Sequence, residues 1–180
     1  MSKIGKKNIV IPKESSIKIE GGNLTITGPK GTKKLTINDK IFSSKVNDSE
    51  FQLQPLEKKV DKKTSIMWGT YRSLINNAVK GVSAGHEKIL ELNGVGFRAN
   101  MKGDLLNLQL GFSHDINFKI PKDIKIAVEK QTIIKINGVD KELVSKIAAD
   151  LKNLKPIEPY KAKGIKKRGQ FVLRKEGKKK

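Results

Sequence analysis

The chain of 180 residues reads as an α+β protein made of two tandem copies of one fold. Each copy is a small antiparallel sheet packed against one helix, and a basic C-terminal extension follows the second. Three observations predict this. Stretches with a two-residue hydrophobic period, the mark of half-buried strands, are grouped in both halves. Each group closes with a stretch of three-to-four-residue period, the mark of an amphipathic helix. Chain breakers and like charges then accumulate at the carboxyl end. The boundaries read as 1–82, 83–154 and 155–180.

In the first half Ile17 and Ile19 alternate with charged residues, and Gly21-Gly22-Asn23 turns the chain. Leu24 and Ile26 alternate with Thr25 and Thr27, and Gly28-Pro29-Lys30-Gly31 turns it again. Leu35 and Ile37 start another strand, and Phe51 and Leu53, flanked by Gln52 and Gln54, supply a further one. Residues 61–79 then place Met67, Tyr71, Leu74, Ile75 and Ala78 on one helical stripe. Glycine and serine gather from Gly81 to Gly85, where the junction falls.

The second half repeats the plan. Lys102-Gly103-Asp104 turns, and Leu106, Leu108 and Leu110 alternate with Asn107 and Gln109. Gly111 takes the place of Gly28, 83 residues on. Ile116, Phe118 and Ile120 follow, then Ile124, Ile126 and Val128, then Ile134 and Ile136, each set alternating with polar neighbours. Asp140 is placed to cap a second helix that carries Leu143, Val144, Ile147, Ala148 and Leu151 on its apolar face. Pro156 ends it.

Composition narrows the function. With 36% hydrophobic residues the chain can build a core, and with no cysteine it has neither disulfides nor thiolate chemistry. Apolar runs such as Ile9-Val10-Ile11 are too short to span a bilayer, and no apolar segment follows the first lysines. A soluble intracellular protein is expected. The formal charge of +20 is unevenly spread: residues 1–82 carry +9, residues 83–154 carry +2, and residues 155–180 carry +9. A folded domain has no use for so much like charge in its last seventh, whereas a polyanion that releases counterions does.

Motifs with an enzymatic look are weak. Gly94-Val95-Gly96-Phe97-Arg98-Ala99 matches a dinucleotide fingerprint, but that motif must open a helix. Here Asn100 to Asp104 reads as a turn before another strand. The glycines allow a bulge or a close backbone approach, and with Arg98 beside them the approaching group can be an RNA phosphate. The spacing leaves both readings open. Gly28-Pro29-Lys30-Gly31-Thr32 lacks the Walker spacing and reads as hairpin chemistry. His86 and His114 have no metal-ligand spacing. No nucleophile elbow occurs, and Glu87 and Glu91 read as solvated. No catalytic residue, metal ligand or cofactor is nominated.

The extension is the richest segment. From Tyr160 to Gly169 it interleaves cations with glycines and one aromatic residue. Lysines are point charges for phosphate, Arg168 and Arg174 can make forked contacts, and Tyr160 can stack on a base. Pro156, Pro159, Gly164 and Gly169 make it an extended arm, and the apolar triplet Phe171-Val172-Leu173 fits a short docked strand. Removing everything after Lys155 should leave both domains folded. A membrane-surface role would need a basic amphipathic helix, which the glycines deny.

Several blocks together resemble the bacterial-type large-subunit ribosomal protein L-six family. They are the opening Met1-Ser2-Lys3-Ile4-Gly5-Lys6, then Gly69-Thr70-Tyr71-Arg72-Ser73-Leu74-Ile75-Asn76-Asn77, Val79-Lys80-Gly81-Val82-Ser83, and Leu90 to Ala99. The terminal blocks are Glu158-Pro159-Tyr160-Lys161-Ala162-Lys163-Gly164-Ile165 and Arg174-Lys175-Glu176-Gly177-Lys178-Lys179-Lys180. Asn8, Trp68, His86 and Ile157 depart from the usual family residues, and Ile157, where a second proline is common, loosens the arm.

The resemblance implies a structural, non-enzymatic constituent of the large ribosomal subunit. It implies binding to large-subunit ribosomal RNA near the sarcin-ricin loop and the stalk base. Neighbouring ribosomal proteins, including those of the stalk base, and translation factors would lie close by. No membrane and no small-molecule substrate are implied. The implied RNA-binding residues are Tyr160, Lys161, Lys163, Gly164, Lys166, Lys167, Arg168, Arg174 and Lys175, with Gly94, Gly96 and Arg98. The implied location is the ribosome of a bacterial cytoplasm, or of a mitochondrial or plastid matrix.

Overall fold

The computed structural model describes residues 2–47, 49–57 and 61–177. They divide into two compact units. One runs to His86 and includes Val139–Lys141; the other comprises Glu87–Gly138 and the residues from Glu142 onward. Lys178, Lys179 and Lys180, the last cations of the extension, lie outside the described residues.

In the first unit the strands are β1 (Ile9–Val10), β2 (Ser16–Glu20), β3 (Asn23–Gly28), β4 (Gly31–Thr36), β5 (Phe42–Val46) and β6 (Glu50–Pro55), followed by helix α1 (Lys62–Ser83). They form two three-stranded antiparallel sheets, ordered β1-β6-β5 and β2-β3-β4. Strand alternation sends Leu24 and Ile26 into the core and their threonine neighbours outward. Helix α1 buries Trp68, Ile75, Ala78, Val79 and Val82, a stripe turned slightly from the expected one. Met67 and Tyr71 lie at its margin, and the Tyr71 ring meets Phe42 edge-on at 5.5 Å between centroids. The Trp68 indole N–H donates to the Leu53 carbonyl at 2.8 Å and pins the helix to β6.

Apart from the first residues of β7 and α2, the second unit holds β7 (His86–Asn93), β8 (Arg98–Lys102), β9 (Leu105–Gln109), β10 (Ile116–Lys119), β11 (Ile124–Glu129), β12 (Ile133–Gly138), helix α2 (Lys141–Leu154) and β13 (Gly164–Lys167). The sheets are β10-β9-β8 and β11-β12-β7-β13. Val144, Ile147, Ala148 and Leu151 of α2 close over a core of Leu90, Leu106, Leu108, Ile134, Ile136 and Ile165. Each buried valine, leucine or isoleucine side chain contributes about 1.5–3 kcal/mol of hydrophobic stabilisation.

The α+β class holds, with one helix per unit, but each unit divides its strands between two sheets where one was expected. The equivalence of the halves also needs correction. Hairpin β2–β3 closes on the pair Glu20 and Asn23, and hairpin β8–β9 closes on Lys102 and Leu105. The interval is therefore 82 residues, so Gly28 corresponds to Leu110 and not to Gly111. The turn expected over 100–104 is confined to Gly103 and Asp104, because Asn100 to Lys102 belong to strand β8, whose one buried side chain, Ala99, is too small to mark it as apolar. No strand occurs at Phe171 to Leu173; the docked strand is β13, a few residues earlier.

Candidate nucleic-acid interface

The extension is only partly an arm. Strand β13 pairs antiparallel with β7, setting Gly164 opposite Asn93, Ile165 opposite Leu92, Lys166 opposite Glu91 and Lys167 opposite Leu90. Alternation points Ile165 inward, where it is 0% exposed. The backbone is held on both sides of the strand: the Ile165 N–H donates to Lys155 O (2.9 Å), and the Arg168 N–H to Ile89 O (3.0 Å). Deleting everything after Lys155 would remove a core residue and expose a sheet edge. Such a truncation should therefore destabilise the second unit, contrary to the expectation that both domains stay folded without the extension.

Two local devices shape the loop before β13. Ala162 adopts a left-handed φ of 54° and turns inward, leaving Lys161 and Lys163 exposed on either side. Gly164 has φ 134°, and a Cβ there would stand 2.6 Å from the Pro156 carbonyl oxygen, so only glycine lets the strand start so close to the preceding loop. Beyond β13 the chain turns at Gly169 and comes back, and the Lys175 N–H donates to Pro159 O at 2.9 Å. This clasp carries Arg174 toward Lys161.

The result is a solvent-open depression lined by Leu92, Asn93, Gly94, Val95, Lys161, Ala162, Lys163 and Arg174. Segments far apart in sequence meet here: the β7–β8 loop forms one side and the returning extension the other. Three of its lining residues, Lys161, Lys163 and Arg174, are cations. Val95, which sequence reasoning passed over, is 95% exposed at its edge. A valine between two glycines carries no signal of exposure in the sequence.

The other expected residues lie apart from the depression. Lys166 is engaged by Glu91 in an ion pair at 3.0 Å, both side chains being about a quarter exposed. Lys167, Arg168, Lys175 and Tyr160 are exposed on the same extension. Arg98 is exposed on β8, opposite Gln109. Gly96 is exposed in the β7–β8 loop.

The Gly94 loop leads into β8 and not into a helix, so it lacks the helix N-terminus that a dinucleotide pyrophosphate needs. The Phe97 ring packs against Gly94 instead, within 2.9 Å of where a Cβ would stand. Among the described residues there is no group of three His, Asp or Glu side chains that could hold a metal. No described helix is long and apolar enough to cross a membrane.

Comparison with known sequences adds an independent line. The family model for ribosomal protein L6 matches residues 11–85 and 93–168. The two matched segments begin 82 residues apart, the interval that the hairpin registers give. The chain is similar to the large ribosomal subunit protein uL6 of Sphingopyxis alaskensis, 44% identical over the whole of both chains. It is 48% identical to that of Caulobacter vibrioides and 42% identical to that of Paracoccus denitrificans, again over the full length of each.

Proposed function

The chain belongs to the ribosomal protein L6 family, and from that premise we propose that it serves as a structural, non-catalytic constituent of the large ribosomal subunit that binds ribosomal RNA through the depression in its second unit. Lys161, Lys163 and Arg174 neutralise phosphates of a strand that passes over Gly94 and Val95. Tyr160, Gly164, Lys167, Arg168 and Lys175 continue the contact along the extension, with Gly96 and Arg98 on the opposite flank. Lys166 contributes less, because Glu91 already neutralises it.

The observation that carries this reading is the meeting of two distant segments at one basic depression. The extension is both the most cationic part of the chain and one fixed to the sheet, so its charges are presented at low entropic cost. Contacts of this kind position a protein on RNA while reading little sequence. Placement near the sarcin-ricin loop and the stalk base, among the ribosomal proteins there and close to docking translation factors, belongs to the same proposal.

The test is binding of the full chain to large-subunit ribosomal RNA across a salt series. About six to eight phosphate contacts correspond to a log–log slope of roughly −5 to −7. Replacing Lys161, Lys163 and Arg174 together by alanine should flatten that slope by about two to three and weaken binding at every salt concentration. Wild-type affinity and slope in the triple variant would sink the proposal.

A further inference from the structure

Phe112 is a large apolar side chain that stands outside the core of the second unit. Two residues earlier Leu110 is fully buried, but Gly111 takes a left-handed φ of 72° and throws the chain outward, leaving Phe112 44% exposed. Phe112 belongs neither to the buried cluster of the second unit nor to the partly buried residues at its margin. It lies against two polar partners. The His114 ring stacks on it with centroids 6.3 Å apart and planes 25° from parallel. The Lys155 ammonium stands over its face, 4.3 Å from the centroid.

We propose that Phe112, His114 and Lys155 form a second RNA contact that takes one unstacked nucleobase on the aromatic pair and an adjoining phosphate on the lysine. This rests on the reading of the chain as a ribosomal RNA binder. Aromatic side chains beside cations hold splayed bases by stacking, because every base offers a π-face. Lys155 is well placed for the phosphate. Among the described residues it makes no ion pair, and the Ile165 N–H donates to its carbonyl, which fixes its backbone. The neighbouring carboxylate, Asp115, faces the sheet and accepts hydrogen bonds from Asn107 (3.3 Å) and Gln109 (3.4 Å).

The experiment compares Phe112→Leu, Phe112→Ala and His114→Ala with the wild type in binding large-subunit ribosomal RNA over a salt series. Both Phe112 variants should bind about tenfold more weakly, within the range that loss of one stacked base produces, with an unchanged salt slope. Ultraviolet crosslinking of the wild-type complex should attach a nucleotide to the peptide carrying Phe112 or His114. Should Phe112→Ala lose its fold, Phe112→Leu decides the matter, since it keeps apolar bulk and removes only the ring. Wild-type affinity in Phe112→Leu overturns the proposal, as does a weakening accompanied by a flatter slope, which would make the ring a mere support for Lys155. The Lys161, Lys163 and Arg174 triple variant reports separately on the parent reading.

Discussion

Ile165 lies opposite Leu92 in the ladder between β13 and β7, and the two are 0% and 5% exposed. The most basic part of the chain is thus fastened by a buried apolar pair. Ile165→Ala should cost about 2–5 kcal/mol, the range for emptying a buried aliphatic site. It should also weaken RNA binding, because β13 carries the loop that presents Lys161 and Lys163. Urea unfolding followed by circular dichroism measures the first effect. A variant as stable as the wild type would show that β13 is not part of the second core.

Glu91 and Lys166 face each other across the same ladder, in an ion pair about a quarter exposed. Such pairs stabilise by about 1 kcal/mol or less. Glu91→Gln should therefore leave the thermal midpoint within a few degrees of the wild type. It should at the same time strengthen RNA binding a few-fold at low salt, because a cation is released and a repelling carboxylate removed. Weaker binding by Glu91→Gln would mean that the carboxylate orients Lys166 for its contact.

At Gly164 two demands coincide, a backbone φ of 134° and a carbonyl oxygen 2.6 Å from where a Cβ would stand. Gly164→Ala should destabilise the second unit by about 1–3 kcal/mol, the usual scale of local backbone strain. It should also displace Lys163, its chain neighbour, and so weaken binding beyond the loss of stability. A melt coincident with that of the wild type would refute the requirement for glycine.

The parts legible in the sequence were those written in period. The alternation of Leu24 and Ile26, of Leu106 and Leu108, and of Ile134 and Ile136 marks core strands, and the stripe from Val144 to Leu151 marks α2. Strand β5 escaped because Ser43, Ser44 and Lys45 interrupt its two apolar ends. Strand β13 escaped because Ile165 is its only apolar side chain among glycine and cations, and a lone isoleucine in a charge run has no period. The depression could be named in pieces, Gly94 on one side and Lys161 on the other. Their meeting depends on the pairing of Ile165 with Leu92, a contact between residues 73 apart that no local pattern encodes.

The single tryptophan offers a check on the first unit alone. Trp68 is buried, donates to the Leu53 carbonyl at 2.8 Å, and packs so closely on Gly5 that a Cβ there would stand 2.5 Å from the indole. Its emission in the native protein should be that of an indole out of water, and should shift to the red as the first unit unfolds. Trp68→Phe keeps an aromatic ring but leaves the Leu53 carbonyl without its indole donor and a gap beside Gly5. These two losses should cost about 2–4 kcal/mol together. Circular dichroism in urea would register that cost as a lower midpoint for the first unit. RNA affinity should stay unchanged under native conditions, since Trp68 lies in the other unit from the depression. A variant that loses RNA binding while remaining folded would show that the first unit takes part in the contact.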